Sequence, residues 1–179
     1  MNIPTPPLSV QRVYVATMMD IIGRGLEAAS QVDPVLQQEL AGFPAGFTFE
    51  MKIMPKGPAL TARINPDGTL QRLSSLQGRP DLSIKFKHVS LAFLVFSFQE
   101  STSRAFANDR MVADGDVAYA IRIVRCLDRM ETLILPRVIA DRAVKRYPDS
   151  LKLGEKLGKA SQIYVRVAHS LLKPLLTKA

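Results

Sequence analysis

The chain has 179 residues, 47% of them hydrophobic, 22% charged and 7% aromatic, a make-up that excludes disordered, collagen-like and coiled-coil chains. Its single cysteine, Cys126, leaves no intrachain disulfide framework and no thiolate metal cluster. The net charge of +8 is unevenly placed: residues 1–132 carry 14 Lys/Arg against 13 Asp/Glu, and residues 133–179 carry 10 against 3. The basic excess in the last 47 residues points to an anionic partner. The strongest apolar run, Val89 to Phe98, is ten residues broken by two serines, whereas a membrane-spanning helix needs about 20. The opening Met-Asn-Ile-Pro-Thr-Pro-Pro lacks the basic region and apolar run of a signal peptide. The expectation is a cytoplasmic protein, at most peripheral on the inner face of a membrane.

In chain order, Val10, Val13, Tyr14, Thr17, Met18, Ile21 and Ile22 recur at helical spacing after Ser9, which reads as the N-cap. Pro34 opens a second short helix through Leu40, and Phe43-Pro44-Ala45-Gly46 closes this module. The period then changes to two. Phe47, Phe49, Met51 and Ile53 alternate with polar residues, as do Leu60, Ala62 and Ile64, and then Leu82, Ile84 and Phe86. A weaker strand covers Thr69 to Ser75, with Asn65-Pro66-Asp67-Gly68 as the turn before it. The short connections predict an antiparallel meander, because a parallel neighbour calls for a crossover. A buried helix follows from Val89 to Phe98, then a short one from Ser101 or Thr102 through Asn108. Met111-Val112-Ala113 reads as a fifth strand, and Val117 to Met130 as a helix broken at Leu135-Pro136. Helical material then runs to Tyr147-Pro148, and a last basic helix from about Leu151 to Leu172. The fold class is α+β, a largely antiparallel five-stranded sheet with helices on one face and helical extensions at both ends. As one domain, it divides into a helical extension (1–46), a core (47–132) and a basic helical extension (133–179).

Several pieces lie in a telling order: Pro80-Asp81-Leu82-Ser83-Ile84, the apolar helix, Ala105-Phe106-Ala107, Arg110-Met111-Val112, then Gly115-Asp116 and an amphipathic helix. Together they resemble the sterol carrier protein type-two lipid-binding family over about Phe47 to Met130. Two positions depart from that family's pattern. Asp109 precedes Arg110 where a glycine is frequent, and Ser97-Phe98-Gln99-Glu100 stands where a glycine-lysine turn usually ends the apolar helix. Gly115 reads as a turn residue and Asp116 as the cap of the helix after it. The resemblance implies a lipid cavity between helices and sheet, with Phe93, Phe96, Phe98, Phe106, Met111, Ile121, Val124 and Leu127 as its candidate lining. Read without it, the same residues are core.

Chemistry-bearing motifs are missing. His88 and His169 have no neighbouring ligands at metal spacing, and neither a serine-hydrolase elbow nor a Walker loop occurs. Gly23-Arg24-Gly25-Leu26-Glu27-Ala28 matches a dinucleotide fingerprint in letters, but helical spacing precedes it and Pro34 ends the run too soon. No catalytic residue, metal or cofactor is expected, and Cys126 reads as a buried inert thiol.

In the basic tail, Leu153, Leu157, Ala160, Tyr164, Val167, Leu171 and Leu175 form one stripe, flanked by Lys152, Lys156, Lys159, Arg166 and Lys173. The stripe either docks on the domain or, with these cations, meets an anionic membrane surface. Nucleic acid is not an expected partner, since no aromatic stacking platform accompanies the charge and Tyr164 is the last helix's only aromatic. The leading functional expectation is non-enzymatic binding and transfer of a hydrophobic ligand: a lipid, sterol-like molecule, fatty acyl chain or isoprenoid. The alternative is an accessory protein presenting a lipidic intermediate to lipid-processing enzymes. The run from Gly115-Asp116 through Leu127-Asp128 to Leu135-Pro136 resembles bacterial family members that assist ubiquinone synthesis.

Overall fold

The structure, a computed structural model, describes residues 6–136, 140 and 153–176. Helix α1 (Leu8–Val32) begins after Pro7 with no side-chain cap, so Ser9 lies inside the helix and does not cap it. Prolines 6 and 7 preset the entry, and the Gln11 amide side chain donates to the Pro6 carbonyl. Asp33 ends α1 and caps α2 (Pro34–Leu40), its carboxylate accepting from the Leu36 N–H while Pro34 takes the first turn.

Strands β1 (Thr48–Ile53), β2 (Ala59–Ile64), β3 (Leu70–Leu73), β4 (Leu82–Phe86) and β5 (Met111–Asp114) form one sheet in the order β3-β2-β1-β4-β5. Three pairs are antiparallel, but β1 and β4 run parallel, Phe49 opposite Leu82 and Ile53 opposite Phe86. This corrects the simple meander. The register shows why no crossover helix is needed: Leu73 lies level with Thr61, Thr61 with Glu50, and Glu50 with Ser83. β3 therefore ends where β4 begins, and the chain only has to step sideways. Three strand spacings are about 14 Å, while eight residues reach about 26 Å.

Alternation divides the sheet as expected. Phe49, Met51 and Ile53 of β1 are buried, as are Leu60, Ala62 and Ile64 of β2. The opposite face is polar and self-paired: Lys52 with Glu50 (2.7 Å), Lys85 with Asp114 (2.7 Å), and Ser83 donating to Glu50 (3.3 Å). Helices α1, α3 (Val89–Phe96) and α5 (Val117–Ile134) cover the apolar face. Gly23 and Gly25 belong to this packing. A Cβ on Gly23 would stand 2.5 Å from Leu60 Cδ1, and one on Gly25 would stand 3.2 Å from Met130 Sδ. They let α1 approach β2 and α5, which is why a dinucleotide-like string sits mid-helix. The last helix, α6 (Leu153–Leu176), packs on α1 and α5. The helical run expected to Tyr147-Pro148 lies outside the described residues. No helix among the described residues is long and apolar enough to cross a membrane.

Candidate functional site: an open apolar groove along α5

The two departures from the family pattern are backbone features. Phe98, just past α3, has φ +58°, and Asp109, just past α4 (Thr102–Ala107), has φ +55°. Both stand in the left-handed region where glycine is the usual occupant. Ser101 caps α4 by accepting from the Arg104 N–H, and the buried Glu100 carboxylate pairs with Arg110 (3.3 Å) and accepts from Asn108 (2.9 Å). These bonds set α4 beside β5.

Gly115 and Asp116 behave as read. Gly115 has φ +136°, and a Cβ there would lie 2.6 Å from the Asp81 carbonyl oxygen. Asp116 Oδ1 accepts from the Ala118 N–H at 2.7 Å and caps α5. The start of α5 is held by Tyr119, stacked on Phe43 (5.1 Å) and tilted against Phe47 (4.9 Å).

α5 carries more apolar surface than the core takes up. Ile123, Cys126, Met130 and Leu133 are fully buried, whereas Val117 is 63% and Ile121 49% exposed. This second face forms one wall of a groove of about 640 Å³ between α4, β5 and α5. Phe106 and Ala113 line it from the other side, Ala120 and Val124 from α5, with Ser103, Arg125 and Asp128 as its polar members. Arg125 is 60% exposed and 3.8 Å from Glu39.

The eight expected lining residues separate accordingly. Phe106, Ile121 and Val124 line the groove. Phe93 meets Tyr14 edge-on at 5.3 Å, and Phe96 packs on Phe86 at 5.4 Å. Met111 points into the core from β5, Leu127 is buried on α5, and Phe98 follows Ser97, the C-cap of α3. These five lie in the packed interior or at a helix end, away from the groove, because the aromatic side chains of α3 are consumed by α1 and β4. Val117, Ala120 and Ala113 were not among the eight. The helical spacing of Val117, Ala120, Ile121 and Val124 was the signal for the first two.

Cys126 is fully buried, and burial pushes its thiol up to about 12. No cluster of potential metal ligands occurs among the described residues. A second hollow of about 330 Å³ lies between α1 and α6, but its arginines are engaged: Arg24 pairs with Asp20 and donates to Ser170, and Arg166 donates to Gln31.

No family model and no curated protein matches the chain. Several solved structures similar to it are sterol carrier protein 2 or sterol-carrier-like structures. One is a UbiJ-SCP2 ubiquinone synthesis protein, 13% identical with a TM-score of 0.47, covering 70% of this chain and 100% of that one. Sterol carrier protein 2 from Yarrowia lipolytica, in its apo form, is 16% identical with a TM-score of 0.44, over 73% and 98% of the two chains. Sterol carrier protein 2 like 2 from Aedes aegypti is 15% identical with a TM-score of 0.40, over 64% and 96%. These are likenesses of chain arrangement and assign neither ligand nor activity.

The basic helix docks with only part of its stripe inward: Val167 packs on the core. Leu153, Leu157 and Tyr164 are 71%, 61% and 55% exposed, and the residue buried instead is Ile163. Three of the five cations expected to face a membrane are engaged by the protein. Lys159 reaches the fully buried Asp33 (2.7 Å), Lys156 donates to the Leu135 carbonyl (2.7 Å), and Arg166 donates to Gln31. The reason is electrostatic: Asp33 is fully enclosed and needs counter-charge, which Arg129 and Lys159 supply. Lys152 lies outside the described residues, as does the side chain of Lys173.

Proposed function

We propose that the protein binds a hydrophobic ligand, an acyl, sterol-like or isoprenoid chain, in the groove along α5 and passes it on without acting on it chemically. The observation carrying this reading is the unfilled apolar wall. Val117 and Ile121 remain exposed on a helix whose other face is tightly packed, and they flank a concavity within the about 300–1,000 Å³ common for ligand sites. An apolar chain lying there removes this surface from water, at roughly 25 cal/mol per Å². Ser103, Arg125 and Asp128 provide places for a polar end. The sequence resemblance to the sterol carrier family, which rests on order and spacing of short pieces, supports the same reading. Exchange at an anionic membrane belongs to the proposal and does not require the α6 cations held by the protein; sedimentation with neutral and anionic vesicles tests it.

The test of the site is Val124→Trp, which fills the groove from its wall. Affinity for a fluorescent fatty acid should drop at least tenfold. Overpacking typically costs about 1–3 kcal/mol, so circular dichroism must show a folded variant. A folded Val124→Trp protein with unchanged affinity removes the groove as the site.

A further inference from the structure

α6 turns one face outward: at its edges Tyr164 Oη donates to the Ile134 carbonyl (2.6 Å) and Val165 borders the hollow shared with α1, and no element among the described residues covers what lies between. Six large apolar side chains lie on it: Leu153, Leu157, Tyr164, Val165, Leu171 and Leu172, from 44% to 71% exposed. The helical period puts them within an arc of roughly 120°. The small residues Gly154, Gly158, Ser161 and Ala168 share this arc, which carries no charged side chain. Among the described residues nothing lies within 4 Å of a Cβ placed on Gly154 or Gly158. Glycine in a helix interior, as at Gly158, costs about 1 kcal/mol relative to alanine, and no neighbour among the described residues accounts for it.

We propose that a second copy of this chain covers this face, the two α6 helices pairing antiparallel about a two-fold axis near Ser161. Gly154, Leu157, Gly158 and Ser161 stand at i, i+3, i+4 and i+7, the outline of a hole on a helix surface. Val165, 69% exposed, is the matching knob one turn further along. In an antiparallel pair centred at Ser161, Val165 of each copy seats in the hole of the other, so one surface complements itself, as a two-fold interface requires. The six large side chains present on the order of 700 Å² per copy, near the ~800 Å² per partner of a standard interface. Lipid is the poorer occupant. An anionic bilayer is met by Lys and Arg beside the apolar face, yet Lys156, Lys159 and Arg166 bond to the protein.

Sedimentation equilibrium of the full chain from about 1 to 100 µM reads this directly, that range bracketing a micromolar dissociation constant. A monomer–dimer equilibrium is expected, and Val165→Glu should weaken it at least tenfold while circular dichroism stays unchanged. Ser161→Cys should form a covalent dimer on mild oxidation, because the two sulfurs meet at the axis, while Glu155→Cys should not. A wild-type chain that stays monomeric overturns the proposal, as does a dimer indifferent to Val165→Glu or equal cross-linking at both positions. A monomer that co-sediments with vesicles through this face also overturns it and gives the face to a bilayer.

Discussion

Replacing Asp33 by alanine tests how the C-terminal helix is held. The Asp33 carboxylate is fully buried and accepts four hydrogen bonds: from the Leu36 N–H (3.3 Å), from Arg129 Nε (2.7 Å) and Nη2 (3.0 Å), and from Lys159 Nζ (2.7 Å). That uses every acceptor site of a carboxylate and ties α1 and α2 to both α5 and α6. Loss of the cap costs about 1 kcal/mol. Breaking a buried pair from one side costs about 3–5 kcal/mol, because the partner charge stays behind. The low end applies, since Arg129 and Lys159 are 13% and 17% exposed and Lys159 keeps Glu155 at 2.6 Å. The expected loss is about 4 kcal/mol in urea denaturation, or about 8–16 °C in melting temperature for a chain of this length. Lys159→Met in the Asp33→Ala background should cost much less than in the wild type, with a coupling of at least about 1 kcal/mol. The pH dependence has a definite sign. Burial by itself raises the Asp33 pKa, but the bonds from Arg129 and Lys159 outweigh it and hold the group below the usual carboxylate range. Its contribution is therefore complete above about pH 4 and disappears as pH falls through the lower folded-state value, so the Asp33→Asn deficit should shrink on acidification. A loss under about 1.5 kcal/mol, or a coupling within about 0.5 kcal/mol of zero, would refute the idea that this carboxylate fastens α6.

Other expectations follow from single sites. Gly115→Ala forces a Cβ against the Asp81 carbonyl at positive φ and should cost more than about 1 kcal/mol, read as a lower urea midpoint; an unchanged midpoint would mean the turn re-forms. Burial, with Asp128 adding to it, pushes the Glu131 carboxyl up to about 8. The folded state then holds this proton more tightly than the unfolded one, so stability should fall from about pH 5 to 8, and Glu131→Gln should flatten that fall. Equal slopes in the two proteins would contradict it. Cys126 should resist a thiol reagent in the native protein and react as one thiol after denaturation, given its burial and raised pKa. Rapid native labelling would show that α5 opens readily.

Period and punctuation determined the elements. Alternation marks β1, β2 and β4 because one sheet face is apolar and the other solvated, and the capping chemistry of Asp116 and the turn at Gly115 are local, so they are legible from neighbours alone. The amphipathic excess of α5 was visible too, since Val117, Ala120, Ile121 and Val124 share one side. What only the tertiary structure decided was which partner meets which face. β4 pairs parallel to β1 because β3 stops level with its start, a matter of register that no single segment encodes. Phe93 and Phe96 serve packing because α1 and β4 arrive there, while Ile121 and Val124 remain open because nothing among the described residues fills the space beside them. On α6 the apolar spacing left docking and outward exposure both open, and the helix is turned so that Lys159 meets Asp33. Enclosing an unpaired carboxylate costs more than exposing a row of leucines, and that balance involves residues 126 positions apart.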